Sequence, residues 1–334
     1  MTIKRKRYCL ALLVTLVGLA GCRDHDHDHA HGSNAQVTKL TLALNWVPEP
    51  EFGGFYAAQL SGAYAKHGLD VTLQPGGAGK PTMQMVGKGQ VELGVVSADE
   101  ILIGRARGID VVGVFTVYQT CPQGIMVHRE LGLANIGDVF AARTEGSPLT
   151  IAMEPGLPYV NYLKGRYGFD HVKVVPYSGG VVPFLASKSF AQQCFVFAEP
   201  VSARQQGADP QVFLVADAGY NPYTAAVAAR GDYAKKHPEL IKAFVAATQE
   251  GWQAYLDDPK PANEAMGKLN ANMDARTFAQ GAQAQAALIV SEDTKASGLG
   301  VMTKERWTTL AQQLVELKVI ETMPAVEECF VEVR

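Results

Sequence analysis

The chain has 334 residues, of which 47% are hydrophobic and 19% charged, and its formal net charge is −3. This composition is typical of a globular protein and the length is sufficient for two domains. The slightly negative charge argues against a nucleic-acid-binding protein, which needs a basic face. Beyond the N-terminal segment, no apolar run is long enough to span a membrane.

The N-terminus has the pattern of an export signal. Four basic residues, 4–7, precede an apolar run from Tyr8 to Ala20. This run is short for a transmembrane helix. It ends in Leu-Ala-Gly-Cys at residues 19–22, which resembles a bacterial lipobox. The resemblance implies a lipoprotein signal peptide over residues 1–21 and a lipid on Cys22, which would anchor an exported chain to a bacterial membrane.

Residues 22–37 contain alternating Asp and His and almost no apolar side chain. The histidines of this tract are His25, His27, His29 and His31. Such a composition predicts a solvated tether between membrane and domain. Because imidazole binds Zn, Cu or Ni, weak metal capture by this tract is an alternative. Apart from it, we expect no metal site and no cofactor.

Three cysteines remain after the N-terminal segment, at positions 121, 194 and 329. One disulfide is compatible with an exported protein, but the sequence does not select the pair. No Cys/His spacing indicates a structural zinc site.

From Thr38 the pattern alternates between strands and helices. We predict strands at 40–44, 71–73, 91–96 and 111–117, and helices at 52–67, 81–88 and 98–107, with Ser97 capping the last helix. Such alternation is typical of a mostly parallel sheet with helices on both faces.

A second α/β unit follows from about Gly124 to Ala216, with predicted strands at 124–127, 149–152, 172–175, 194–197 and 212–215. A short apolar strand at 224–229 comes next, followed by helices at 238–256, 261–269, 275–289 and 303–317. One α/β unit inserted in another predicts two lobes joined by two crossover segments. We therefore expect lobe 1 to comprise residues 38–120 and 221–334, and lobe 2 residues 121–220, with a ligand cleft between them.

Several segments together resemble a known family. They are Leu42–Pro48 followed by Gly53–Ala58, then Gly62–Val71, Gly87–Val95, Ala198–Pro200 and Phe244–Trp252. In this order they are similar to the periplasmic binding proteins for thiamine pyrimidines, sulfonates and nitrate. The likeness covers roughly residues 39 to 260. It implies a type II periplasmic-binding-protein fold and a monomeric solute-binding subunit that serves an ABC permease and its ATPase.

The Asn45-Trp46 pair is most similar to the pyrimidine-binding branch, which implies a thiamine-precursor pyrimidine as ligand. This chain departs from that branch at Glu51-Phe52, where its members commonly carry a His, so riboflavin-like and other flat heterocycles stay open. The same superfamily includes a fungal pyrimidine synthase that relies on a cysteine-rich iron motif and on a lysine and a histidine near the strand after its Gly-Lys motif. Residues 93–101 contain neither, and residues 216–229 contain no Cys, so we expect no enzyme.

Most residues expected at the ligand site follow predicted strands, at the edge where α/β folds bind ligands. The expected residues are Asn45, Trp46, Tyr56, Ser97, Gln119, Gly156, Tyr159, Tyr177, Glu199 and Tyr220. Tyr56 lies on a predicted helix, where a core role is an alternative, and Gln119 and Tyr220 lie at the predicted crossings. For Tyr220 packing of the hinge is an alternative, and for Ser97 plain helix capping is one. Trp46 offers a ring for stacking, although packing in the core is an alternative. Glu199 suits a ligand that carries amino groups, although a hinge or surface carboxylate is equally compatible with its position.

Alkanesulfonates, taurine or nitrate are a second class of ligand for the same fold. They require Arg side chains or helix N-termini in the cleft, and Arg105 and Arg107 lie at the end of a predicted helix, away from it. A third alternative is a metallochaperone built on the His/Asp tract.

Overall fold

The computed structural model describes residues 37–144 and 146–332. The predicted signal peptide, Cys22 and the His/Asp tract lie outside the described residues. Within the described ranges, none of the helices combines the length and the apolar character needed to cross a membrane.

Strands and helices alternate through the first two thirds of the chain. The strands are β1 (Thr38–Ala43), β2 (Leu69–Gln74), β3 (Leu93–Val96), β4 (Val111–Tyr118), β5 (Gln123–His128), β6 (Arg143–Thr144), β7 (Ser147–Met153), β8 (Val172–Pro176), β9 (Phe190–Phe195), β10 (Pro210–Leu214) and β11 (Thr224–Arg230).

The helices cover the sheets and form the C-terminal part. They are α1 (Gly53–Leu60), α2 (Ala63–Lys66), α3 (Thr82–Gly87), α4 (Ala98–Ala106), α5 (Ile136–Ala141), α6 (Pro158–Tyr167), α7 (Val182–Ala186), α8 (Glu199–Gln205), α9 (Gly231–Lys236), α10 (Pro238–Asp257), α11 (Lys260–Leu269), α12 (Ala275–Ile289), α13 (Glu292–Ser297) and α14 (Lys304–Glu316). Short 3-10 turns include Pro50–Phe52, which precedes α1.

The first sheet has the strand order β2-β1-β3-β11-β4. β1 runs parallel to β2 and β3, whereas β11 runs antiparallel to its neighbours β3 and β4. Every residue of β4 is buried, as its continuous apolar sequence predicts for a strand covered on both faces. The sheet is therefore built from two distant parts of the chain, residues 38–118 and 224–230.

The second sheet has the order β10-β5-β9-β7-β6, and β8 pairs with β7. β7 is parallel to β8 and β9, and β5 is antiparallel to β9 and β10. All of its strands come from one continuous stretch of the chain. The α/β fold class with two sheets agrees with the sequence-based expectation.

The chain passes twice between the sheets, from β4 to β5 and from β10 to β11. Because β1, β3 and β4 run in the same direction, the segments after them lie at one edge of the first sheet. The segments after β7, β8 and β9 share one edge of the second sheet for the same reason. In open α/β sheets this carboxyl edge is where ligands bind.

Two predicted elements were wrong in detail. The helix predicted at 52–67 is divided into the turn Pro50–Phe52, α1 and α2. Gly62 separates α1 from α2 in a left-handed conformation with φ of 76°, which glycine adopts at little steric cost. The strand predicted at 194–197 ends at Phe195 instead. The apolar run misled the prediction because Phe197 stacks on Phe195 and Tyr118 without joining a strand ladder.

A glycine pair brings α1 close to α10. A Cβ on Gly54 would lie 2.1 Å from the indole ring of Trp252, and a Cβ on Gly53 would lie 2.1 Å from the ring of Tyr255. Both rings are buried. The small residues therefore allow aromatic side chains to pack directly on the backbone of α1, which fixes the start of this helix beside the turn Pro50–Phe52.

The cysteines Cys121, Cys194 and Cys329 are buried free thiols. Cys121 lies in the first crossing, where its sulfur accepts a hydrogen bond from the Thr224 hydroxyl at 3.2 Å.

Candidate functional site

Asn45 and Trp46 follow β1 at the edge of the first sheet. The Trp46 side chain is 41% exposed, which is unusual for so large an apolar group. Its Nε1 donates to Glu49 Oε1 at 3.3 Å, which orients the ring. Asn45 Oδ1 is buried and has no hydrogen-bond donor among the described residues. The edge therefore presents a flat ring, and the enclosed Asn45 Oδ1 beside it lacks a hydrogen-bond partner in the described part of the chain.

Two acidic side chains follow Trp46, and they were not among the predicted site residues. The pKa of Glu49 is raised from 4.5 to about 7, mainly by burial and then by the negative charge of Glu199. Glu51 is only 7% exposed, and burial, then the charges of Glu49 and Glu199, raise its pKa well above the ordinary range. These effects place three carboxyl groups from two parts of the chain in one electrostatic environment.

Glu199 begins α8 at the edge of the second sheet. Its Oε1 accepts a hydrogen bond from the Tyr177 hydroxyl at 2.7 Å, and its Oε2 accepts one from the Phe195 backbone N–H at 2.8 Å. Burial raises its pKa, while these hydrogen bonds oppose the increase. The structure thus brings together two predicted site residues, Tyr177 and Glu199, in one rigid hydrogen-bonded unit.

Helix α12 joins the acidic residues of the two edges. A Cβ on Gly281 would lie 2.7 Å from the carbonyl oxygen of Phe197 and 2.9 Å from Pro50 Cγ. From the same helix, Gln285 Nε2 donates to the Pro50 carbonyl at 2.8 Å. The backbone beside Glu51 and the backbone just before Glu199 therefore rest against one face of α12.

Gly156 and Tyr159 lie after β7. Gly156 is exposed and adopts a φ of 88° in the loop before α6. The Tyr159 hydroxyl is buried and donates to Gln193 Oε1 at 2.7 Å, and this oxygen also accepts from the Glu154 backbone N–H at 2.6 Å. Tyr159 therefore holds the loop that contains Gly156, while its hydroxyl proton is already used.

Ser97 and Tyr220 meet at Asp99. Ser97 is the N-cap of α4, and its backbone N–H donates to Glu100 Oε2 at 2.9 Å. The hydroxyl groups of Ser97 and Tyr220 both donate to the Asp99 carboxylate, the latter at 3.0 Å. The Tyr220 ring is 1% exposed. This cluster links the start of α4 to the second crossing.

Gln119 and Tyr56 have no described contact with Glu199 or Trp46. The Gln119 side chain donates to the Val301 carbonyl at 2.9 Å and is 5% exposed. Tyr56 is 4% exposed on α1, and its hydroxyl has no partner among the described residues. Their ligand-binding role stays a prediction.

Both crossings are held by Arg306 of α14, which was not among the predicted site residues. Its guanidinium donates to the Asn221 carbonyl at 2.9 Å, to Asn221 Oδ1 at 3.0 Å and to the Gln119 carbonyl. It also stacks over the Tyr223 ring at 3.9 Å. One half-buried cation thereby fixes residues before β5 and before β11 relative to each other.

Two cavities lie outside this region. One of about 300 Å³ is lined by residues of α8 and α12, and another of about 620 Å³ is lined mainly by residues of α11 and α12. None of the predicted site residues lines either cavity.

Known proteins that are similar to this chain in sequence or in structure support the fold described above. Residues 49–262 match the model of the family described as NMT1/THI5 like. The riboflavin-binding protein RibY of Chloroflexus aurantiacus is 27% identical over 244 residues, which cover 69% of this chain and 66% of RibY. The formylaminopyrimidine-binding protein of Halalkalibacterium halodurans is 22% identical over 271 residues, 80% of each chain.

The solved structure of the periplasmic aliphatic sulphonate binding protein SsuA from Escherichia coli superposes with a TM-score of 0.65. The match covers 89% of this chain and 92% of SsuA at 14% identity. At this identity the likeness concerns the fold, which is that of the periplasmic binding proteins.

Proposed function

The chain belongs to the NMT1/THI5-like family, and from this premise we propose that it is the solute-binding lipoprotein of an ABC importer. In this proposal lobe 1 comprises residues 38–120 and 221–334, and lobe 2 comprises residues 121–220. The lobes close on a small ligand held between the two sheet edges, and the crossings beside Arg306 act as the hinge. A ligand favours the closed form only through its higher affinity for that form.

The proposal places the protein outside the cytoplasm, anchored by a lipid on Cys22 and bound as a monomer by a permease with its own ATPase. The anchor raises the effective concentration of the protein near the permease.

A thiamine-precursor pyrimidine, of the hydroxymethyl or formylamino type, is the ligand that we propose. The observation that supports it is the set of acceptors beside an open aromatic ring. Glu199 is held by Tyr177, Asn45 Oδ1 has no donor, and the Trp46 ring is 41% exposed. An aminopyrimidine supplies N–H donors in the plane of a ring that can stack, which matches this set.

A riboflavin-like ligand is the second candidate, supported by the likeness to RibY. Sulfonates and nitrate are less compatible, because an anion would approach Glu49, Glu51 and Glu199. Arg105, in addition, is already paired with Asp110 at 2.9 Å and with Glu328 at 2.5 Å. A synthase activity is disfavoured, because residues 93–101 of this chain contain neither the Lys nor the His expected of such an enzyme.

A thermal-shift screen of the mature protein tests the proposal. At 100 times the dissociation constant, a ligand adds about 2.7 kcal/mol to the free energy of unfolding. We expect a shift with aminopyrimidines that Glu199→Gln reduces and that Glu130→Gln retains, since Glu130 is exposed and paired with Lys188. A shift with sulfonate or nitrate alone would contradict the ligand class, and a shift with riboflavin alone would favour the second candidate.

A further inference from the structure

The candidate site contains several carboxyl groups and no cation to balance them. Within residues 37–144 and 146–332, no Lys, Arg or His forms an ion pair with Glu49, Glu51 or Glu199. Removing a carboxylate from water without a partner costs several kcal/mol. The site is therefore short of positive charge or of hydrogen-bond donors.

Glu51 is the clearest case. Its side chain is more than nine-tenths buried, and none of the hydrogen bonds among the described residues reaches its carboxyl group. Glu199, by contrast, accepts from Tyr177 and Phe195, and Glu49 accepts from Trp46. The Glu51 carboxyl oxygens are not among the enclosed side-chain atoms without a partner, so solvent or a ligand can supply the hydrogen-bond donor that the described residues do not.

Other titratable groups that face these acids provide no charge at neutral pH. Burial raises the pKa of the Tyr118, Tyr159, Tyr177 and Cys194 side chains, so each is neutral there. Tyr118 already donates its proton to Gln285, and Tyr255 donates to Asn263 at 2.8 Å. The negative charge of Glu49, Glu51 and Glu199 is therefore neutralised either by protons on these acids or by the ligand.

We propose that the site selects a heterocycle carrying a protonated amine, with Glu49 and Glu51 as the residues that determine this preference. The inference rests on the proposed importer function, and among aminopyrimidines it ranks an aminomethyl substituent above the hydroxymethyl and formylamino types named there. The geometry supports it, because Glu49 accepts a hydrogen bond from the exposed Trp46 ring, and the Pro50 carbonyl is bonded to α12, the helix that also contacts the Phe197 carbonyl. A ring stacked on Trp46 would lie beside Glu49, whose charge interacts with those of Glu51 and Glu199.

The chemistry is a proton exchange. In the empty site, raised pKa values keep protons on part of the acids at neutral pH. An ammonium group stabilises the carboxylate form, so a carboxyl group releases its proton to the buffer when the ligand binds. A neutral alcohol of the same size leaves the proton in place and gains only an ordinary hydrogen bond.

A matched pair of probes tests the preference. They are one aminopyrimidine bearing an aminomethyl group and the same aminopyrimidine bearing a hydroxymethyl group, and affinity is measured by calorimetry near pH 7.5. We expect the ammonium form to bind at least about tenfold more tightly, since an opposite charge within a few ångströms shifts a carboxyl equilibrium by that factor or more. Glu51→Gln should remove most of the difference, whereas the exposed control Glu130→Gln should keep it.

Calorimetry in buffers of different ionisation enthalpy provides a second readout, because proton release should accompany the ammonium probe and decrease in Glu49→Gln. Equal or tighter binding of the alcohol would overturn this inference and leave the proposed function intact. Binding of neither probe would overturn the pyrimidine function together with the inference. Urea unfolding of each variant confirms that the comparison concerns folded protein.

Discussion

The raised pKa of Glu49 makes the stability of the unliganded protein depend on pH. In the unfolded chain this carboxyl group has a pKa of 4.5, and in the folded protein the pKa is about 7. The folded state therefore binds the proton more strongly. Its contribution to stability is fully present below about pH 4.5 and is lost as the pH rises through about 7. Replacing Glu49 by Gln removes this dependence while keeping the size of the side chain.

The magnitude follows from the difference between the two pKa values. A change from 4.5 to about 7, at about 1.4 kcal/mol per unit, corresponds to about 3 kcal/mol. Partial exposure of Glu49 to solvent reduces this to about 2–3 kcal/mol. We expect Glu49→Gln to have at most a small effect at about pH 4.5 and to stabilise the empty protein increasingly up to about pH 8.

Urea unfolding followed by circular dichroism at several pH values measures this difference. Glu264→Gln is the control, because Glu264 lies exposed on α11. If Glu49→Gln and the unmodified protein lose stability in parallel between about pH 4.5 and pH 8, the pKa of Glu49 is not raised in the folded protein and the reasoning fails.

Further substitutions examine the ring, the helix contact and the hinge. Trp46→Ala should weaken ligand binding strongly in calorimetry but leave the urea midpoint almost unchanged, since the ring is 41% exposed; a large loss of stability would assign Trp46 to the core. Gly281→Ala should destabilise the protein by about 1–3 kcal/mol in urea unfolding, because the new methyl group collides with Phe197 and Pro50; an unchanged midpoint would contradict that contact. Arg306→Lys should cost about 1–3 kcal/mol in the same assay, because an ammonium cannot satisfy the carbonyl groups of both crossings, and retained stability would show that the crossings do not depend on it.

Much of the fold is encoded locally. Buried strands such as β4 are continuous apolar runs, and the Ser97 cap with Glu100 three residues later marks the start of α4. The errors occur where distant contacts override the local pattern. Phe197 looks like part of a strand, but it stacks on Tyr118 from another sheet.

The candidate site shows the same limit. The residues after β1, β3, β7, β8 and β9 can be predicted, because carboxyl edges of parallel strands gather loops. The site position of Glu49 and Glu51 could not be predicted, because two acids that flank a proline before a helix look like part of a surface turn. Their burial depends on α12 and on the corner before Glu199, which no local pattern reveals. Arg306 was missed because its partners are backbone carbonyls of distant segments.

The position of β11 also determines the order in which the molecule can be assembled. β11 separates β3 from β4 and pairs Ala226 with Val96 and Phe115 with Val227. The first sheet therefore stays open until the chain has been made past residue 230, whereas the second sheet closes within one continuous segment. A chain that ends before β11 leaves two unpaired strand edges in its first sheet, a template for aggregation. Because closing so long a loop has a high entropic cost, we expect the first sheet to form more slowly than the second.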